Sequence, residues 1–481
     1  MSKFSPKLTA LFSALSEEEL RQLNLFVQSP LHNRHLKVQK LFELLRYVRN
    51  KRKVIPDSQW FFARLFPEEP FDQKKLNHIV SYCQGSILDF LAWHHWQSQK
   101  ARTQLDLLQG LHQHRLESEF NRQAKTFEKQ QAAQSLRNAH YHQLDYQFRV
   151  VSYAHTRSKG RNRKFGLQDM VDAQDREFIA EKLKNAAILL SHQAVVKKEY
   201  DTGLLPAVLS YLEQRPEYLE VPAIAMYYHA YRALSNIELE DDFARLKEGL
   251  VLYASAFPRS ELQDIYLLAI NFCIRSWNLG RKRYMQDLFE LYQNGLQVQV
   301  FIENGQLSRF TYNNIIIAGL KRKAFDWVYQ FIYDYKDRLE EKHRESSFRY
   351  NLAKYYFDKG DYQEAMPLLL QWEYNDVLQN LNAKIMLAKM YYETEERESL
   401  EHALNSFQTY IYRKKILGYH RDIYLNFAQF LRKVLTINPY DKKSIHQLKA
   451  SILEQKALTE RDWLVQQLDA ILGPTLSDLP T

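Results

Sequence analysis

A short pattern recurs at a fixed interval in the C-terminal half of the chain. Leu352, Ala353 and Tyr356 return thirty-five residues later as Leu387, Ala388 and Tyr391. A period near 34 residues is typical of helix–turn–helix repeats that stack on one another. In such a stack the small residue lets two helices approach closely, and the aromatic ring fills the space beside them. The recurrence therefore predicts an all-α fold with an α-solenoid, which provides a scaffold and a groove without catalytic groups.

Weaker copies of the pattern extend through the rest of this half. Their small residues are Ala225, Ala269, Ala353, Ala388 and Ala428. The long gap between Ala269 and Ala353 leaves room for one more unit, whose second helix is indicated by Phe325, Val328 and Ile332. We therefore predict a repeat array over residues 216–436, C-terminal capping helices over 437–472 and a tail over 473–481.

Helix start and stop signals divide the N-terminal region. Ser16 and Glu19 have the spacing of a capping box, and Pro30 should end the helix that they begin. Asn33 and Asp57 are suited to cap two further helices. Residues 1–70 are therefore predicted to form a bundle of short helices.

A much longer helical stretch is predicted from Asp72 to about Arg157, because it contains no proline. Gly85 and Gly110 are its expected weak points, and its sparse apolar stripe predicts a projecting pair of antiparallel helices. A polar segment at 157–164 then marks a domain boundary. The expected divisions are a long-helix basic module over 71–164 and connecting helices over 165–215.

Composition argues against several classes of enzyme. The chain has 13 glycines in 481 residues, whereas ordinary usage is roughly 7%. No glycine-rich phosphate loop is present, and the two cysteines, Cys83 and Cys273, do not have the spacing of metal ligands. No serine elbow or histidine–glutamate zinc motif occurs either. We therefore predict a protein that is not an enzyme and that uses no cofactor or metal.

The positive charge is concentrated in the N-terminal third. Residues 1–164 contain 27 Lys+Arg and 14 Asp+Glu, whereas the whole chain has a net charge of +9. Such asymmetry suits an anionic partner, so association with nucleic acid is the alternative function. Phosphate contacts would come from a cationic segment containing Arg157, Lys159, Arg161, Arg163 and Lys164. A second cluster lies at Arg46, Arg49, Lys51, Arg52 and Lys53. Solvated loops are the other interpretation of both clusters.

Residues 351–370 resemble the tetratricopeptide repeat (TPR). Beside the leucine, alanine and tyrosine of the first helix, the matching positions are Gly360, Tyr362, Ala365 and Leu369. The sequence departs from that motif at Val377, where a closing proline is expected, and at Trp372, where alanine is expected. The resemblance implies a right-handed superhelix of helical hairpins.

The same resemblance implies a peptide-binding wall on the first helices of the repeats. In this sequence the wall positions are Tyr350, Lys354, Phe357, Ile385, Lys389, Tyr392, Leu425, Gln429 and Arg432. Their cations and rings would suit an acidic or C-terminal peptide. Tyr350 and Lys354 replace the lysine and asparagine with which some of these domains hold a terminal carboxylate. Solvated or self-packing side chains are the alternative.

The full chain also resembles an uncharacterised family of bacterial helical proteins found in the Bacteroidota. The stretches that carry the likeness are 29–33, 269–275, 303–308, 325–327 and 389–393. This resemblance implies a fold and brings no chemistry. No apolar run is long enough to span a membrane, so we expect a cytoplasmic scaffold that binds a peptide or protein partner.

Overall fold

The computed structural model describes residues 4–51, 54–157, 166–196, 198–370, 377–413 and 419–473. These residues are almost entirely α-helical, with one two-stranded hairpin. The prediction of an all-α fold is therefore confirmed. The chain divides into two compact units, Met1–Glu181 and Lys182–Thr481. The domain limits expected from the sequence remain predictions.

The first unit begins with five helices around one apolar core. They are α1 (Pro6–Ser13), α2 (Glu17–Gln28), α3 (Leu36–Lys51), α4 (Ser58–Leu65) and α5 (Gln73–Ser98). The core includes Leu8, Leu23, Leu41, Phe61 and Ile87, none of which is measurably exposed. Burial of these side chains is the main stabilising term for a bundle of such short helices.

The caps expected at three of these helices are present. Ser16 and Glu19 form the reciprocal capping box of α2, and Asp57 accepts a hydrogen bond from the backbone N–H of Trp60. Asp72 accepts from the N–H groups of Lys74 and Lys75 at the start of α5. Asn33 acts differently, because its amide donates to the carbonyl of Val27 and accepts from the N–H of His35. It therefore fixes the turn that precedes α3.

The long helical stretch after Asp72 is interrupted at positions other than those predicted from the sequence. After α5 come α6 (Lys100–Gln113), α7 (Glu117–Ala133) and α8 (Ala139–Arg157). Gly85 and Gly110 lie within helices, so the expectation that they are weak points is wrong. The prediction of an antiparallel helix pair is also wrong. The three helices α6, α7 and α8 share one core, formed by Leu105, Leu108, Leu111, Phe120, Phe127, Leu144, Phe148 and Val151.

The helix α9 (Leu167–Val196) contains the division between the units. The second unit continues with α10 (Leu205–Gln214), α11 (Pro222–Ser235), α12 (Glu240–Leu252), α13 (Arg259–Asn278), α14 (Tyr284–Gln297), α15 (Arg309–Lys321), α16 (Phe325–Asp334), α17 (Glu341–Lys359), α18 (Tyr362–Leu370), α19 (Val377–Glu393), α20 (Arg397–Arg413), α21 (Tyr419–Thr436), α22 (Lys442–Glu454) and α23 (Arg461–Leu472). Short 3-10 helices lie at Pro216–Glu220, Ala254–Ala256 and Lys336–Arg338.

Helices of the second unit pack in a regular order. Each of the pairs α11/α12, α13/α14, α15/α16, α17/α18 and α19/α20 is a hairpin of contacting helices. First helices also contact the next first helix in three cases, α11 with α13, α15 with α17, and α17 with α19. The unit expected in the long gap corresponds to α15 and α16. The small residues predicted from the recurrence, Ala225, Ala269, Ala353, Ala388 and Ala428, are all buried.

Gly319 lies where α15 packs closely against α16. A Cβ added there would lie 2.4 Å from Cγ2 of Val328 and 3.2 Å from a ring carbon of Phe289.

A short hairpin precedes α15, with β1 (Ile302–Glu303) paired antiparallel to β2 (Gln306–Leu307). Asn304 and Gly305 form its turn with positive φ, which favours these residue types. This hairpin was not predicted from the sequence.

We expect Gly319→Ala to lower the free energy of unfolding by about 1–3 kcal/mol, because the methyl group has no room in a packed core. The matched control is Gly110→Ala, since an added Cβ at Gly110 meets nothing within 4 Å. That change should stabilise α6 by roughly 0.5–1 kcal/mol. Urea denaturation of both variants measures the difference, and equal stability would contradict the close packing at Gly319.

Candidate functional site

A pocket of about 280 Å³ opens where α15, α17 and α19 lie side by side. Five of the predicted wall positions line it, namely Tyr350, Lys354, Phe357, Ile385 and Lys389. The other lining residues are Ile317, Lys321, Asp358, Asn382, Met386 and Glu460. The pocket thus combines an apolar floor with three lysines and two carboxylates.

Lys354 is the central cation of the pocket. Its side chain is half-buried, and among the described residues no hydrogen bond or ion pair is formed by its Nζ. Burial lowers the pKa of Lys354 to about 8, although the neighbouring Asp358 carboxylate opposes the shift. Desolvation beside the pocket raises the pKa of the Asp358 carboxyl, although the residue retains an exposed surface. The pocket therefore holds a cation whose hydration is incomplete and whose charge is only partly compensated.

Lys389 has a different environment, although it is the counterpart of Lys354 one repeat later. Only 9% of the residue is exposed, and its Nζ donates to Oε2 of Glu460 at 2.8 Å. The same ammonium lies 5.1 Å from the ring centres of both Phe357 and Trp463. Lys389 is consequently occupied by contacts within the protein, chiefly with the segment that begins α23.

The helix α23 covers the neighbouring wall position Tyr392. The ring of Trp463 packs edge-on against Tyr392 with centroids 5.3 Å apart. Its Nε1 donates to Oε1 of Glu393 at 2.7 Å, and the hydroxyl of Tyr362 donates to the other oxygen of Glu393. Tyr392 therefore contributes to the packing of α23.

The wall positions on α21 are not part of the pocket. The guanidinium of Arg432 points to α20, where it donates to Gln408 at 3.0 Å and Asn405 at 2.8 Å. Gln429 is exposed, and Leu425 packs against the apolar core beside α21. The pocket therefore contains all the wall positions predicted on α17 and two of those predicted on α19, Ile385 and Lys389. The remaining predicted wall positions lie outside it, namely Tyr392, Leu425, Gln429 and Arg432.

Four polar residues of the pocket were missed by the sequence analysis. Asp358 lies four residues after Lys354 on the same helix, so its proximity was available from helical spacing. Lys321 and Asn382 come from α15 and α19, and Glu460 precedes α23. No local pattern connects these three, because their proximity depends on how the helices pack.

The predicted phosphate-binding segment falls mostly outside the described residues. Arg157 is the last residue of α8, whereas Lys159, Arg161, Arg163 and Lys164 are not among the residues described. In the second cluster Arg49 has a structural role, since it donates to the carbonyls of Phe12 and Leu15 and pairs with Glu17. Association with nucleic acid remains a prediction.

No protein-family model matches the chain, and no curated protein or solved structure is significantly similar to it. The resemblances described above therefore rest on the sequence patterns alone.

Within the described ranges, no three histidine, cysteine or acidic side chains are grouped so that they could hold a metal ion. None of the helices in those ranges combines the length and apolar character needed to cross a membrane.

The two equivalent lysines should respond oppositely to the same substitution. Lys389→Met removes the ion pair with Glu460 and two ring contacts, so it should lower the free energy of unfolding by about 1–2 kcal/mol. Lys354→Met removes a poorly hydrated charge, so it should leave the melting temperature unchanged or raise it. Thermal denaturation at pH 7 compares the two variants. A larger loss for Lys354→Met would show that its charge is stabilised by contacts that the structure does not contain.

Proposed function

We propose that this protein is a non-enzymatic scaffold whose second unit is a right-handed TPR-like solenoid that binds a peptide segment of a partner protein. The order of helix contacts supports the architecture, because the first helices of successive hairpins contact each other in three cases, α11 with α13, α15 with α17, and α17 with α19. Buried alanines at the repeated positions and Gly319 in the intervening unit supply the small residues that such packing needs. The peptide would lie along α15, α17 and α19.

The environment of Lys354 is the observation that carries this proposal. Lys354 lines the wall of a pocket and forms no ion pair with any described residue. Such a lysine is suited to bind an anionic group of a ligand. Lys321 lines the same pocket from α15 and adds a second cation. Since Glu460 is paired with Lys389, Asp358 is left as the carboxylate that faces these two lysines.

The apolar residues of the pocket favour a peptide over a small inorganic anion. Ile385 and Met386 are buried beneath the opening, and Phe357 is half-buried beside it. Together they offer a surface for one apolar side chain next to the cations. The segment that fits this arrangement has an aspartate or glutamate, or a terminal carboxylate, close to an apolar residue.

Lys354→Glu should weaken binding of such a peptide at least tenfold, because it replaces a charge-assisted hydrogen bond by repulsion. Peptides for this measurement would be selected from a displayed library and titrated by fluorescence anisotropy at constant salt. Lys359→Glu is the matched control, since it makes the same change at an exposed position of α17 outside the pocket. Peptides that bind Lys354→Glu as tightly as the native protein would refute the proposal.

Binding should also depend on pH in a way that identifies Lys354. With a pKa of about 8 the ammonium is largely protonated at neutral pH, and it loses its charge as the pH rises. Affinity for the carboxylate should be constant below pH 7 and should fall above about pH 8, by at most roughly tenfold per unit. Lys354→Arg should remove this dependence because arginine stays charged. An unchanged fall in the arginine variant would assign the titration to another group.

A further inference from the structure

A second cavity, in the first unit, has features that the proposed function does not use. This α3–α5 groove has a volume of about 930 Å³ and lies between the turn before α3 and one face of α5. The turn and the start of α3 contribute His32, Asn33, Arg34, His35, Leu36 and Lys37. The face of α5 contributes Ser81, Tyr82, Gly85, Ser86 and Asp89.

Large apolar side chains are exposed at the groove. Leu36 is 75% exposed and Tyr82 is 59% exposed, and both belong to its walls. Leu31, in the turn that leads to the groove, is 84% exposed. Two exposed apolar side chains on one concave surface, with a third close by in the sequence, are typical of a protein-binding site, whereas single exposed apolar residues are ordinary.

The charges of the groove favour an acidic occupant. Arg34 and Lys37 are cationic, and Asp89 is the single carboxylate among the lining residues. The backbone N–H groups at the start of α3 contribute positive potential, and the first turn of α3 contains no acidic residue to compensate it. The ammonium of Lys37 is bound within the protein, because it donates to the carbonyl of Leu65 at 2.5 Å and lies 4.9 Å from the ring centre of Phe66. Lys37 therefore adds positive charge at the groove, and Arg34 is the cation that is exposed there.

The part of the groove that α5 forms has small side chains, so the backbone of another helix could approach it closely. A Cβ placed on Gly85 would meet no atom within 4 Å, and Ser81 and Ser86 are also small. The segment from Ser81 to Asp89 covers about two turns, or roughly 12 Å of helix. Since helices with small residues at a contact can pack at short interaxial distances, this surface matches a helix of similar length.

We propose that the α3–α5 groove docks an acidic amphipathic helix from a partner protein. Leu36 and Tyr82 would contact the apolar face of that helix, and Arg34 would face its carboxylates, while Lys37 would add positive charge nearby. A nucleic acid would satisfy the cations and leave the apolar side chains unused, so a protein helix fits the groove better. This site is independent of the pocket on α15, α17 and α19.

The test uses the full chain and a displayed library of 16-residue peptides with a fixed leucine stripe and a randomised polar face. Peptides rich in aspartate and glutamate should be enriched, and their affinity is then measured by anisotropy. Gly85→Leu should weaken binding at least tenfold because the side chain fills the groove. It should not harm the fold, since leucine is a better helix former than glycine and the space is open.

Gly110→Leu is the matched control, because it makes the same change within α6 at another open position. It should leave peptide affinity unchanged. Arg34→Glu, at an exposed residue, tests the charge without adding volume and should also reduce affinity at least tenfold. Failure to enrich acidic peptides, or equal binding by Gly85→Leu and Gly110→Leu, overturns the proposal. Binding of a duplex DNA or RNA probe that Gly85→Leu and Arg34→Glu abolish, with no peptide bound, assigns the groove to nucleic acid instead.

Discussion

Close approach between paired helices is the constraint on which the second unit depends. Gly249 in α12 and Gly319 in α15 each face a side chain of the paired helix so near that an added Cβ would lie within 2.5 Å of it. Alanines at the repeated positions, such as Ala353, serve the same purpose with slightly more volume. Because protein interiors are packed to crystal-like density, larger side chains at these positions would force the paired helices apart.

The pocket shows that two residues with the same place in a sequence pattern can have different structural roles. Lys354 and Lys389 occupy the same position in the recurring sequence pattern, and the resemblance to the tetratricopeptide repeat treats them alike. The difference comes from the segment before α23, which places Glu460 against Lys389. Lys389 is therefore part of the packing of the C-terminal helices, while Lys354 forms no ion pair with any described residue.

Features encoded by a few neighbouring residues were predictable. The caps at Ser16, Asp57 and Asp72 follow from side chains that bond to backbone groups two or three residues away. The turn at Asn304 and Gly305 had an equally local signal, since that dipeptide favours a tight hairpin, and it was overlooked. The expected pair of long helices was wrong because helical propensity does not show how many helices share one core.

The sequence by itself determined that the chain is all-α, where several of its helices begin, and which small residues recur between them. These properties depend on local backbone energetics and on periodicity. Tertiary structure alone decided that Lys321, Lys354 and Asp358 line one pocket, that Glu460 pairs with Lys389, and that Arg432 faces α20. The physical reason is that such contacts join residues far apart in the chain, so their geometry is set by helix packing and has no local signal.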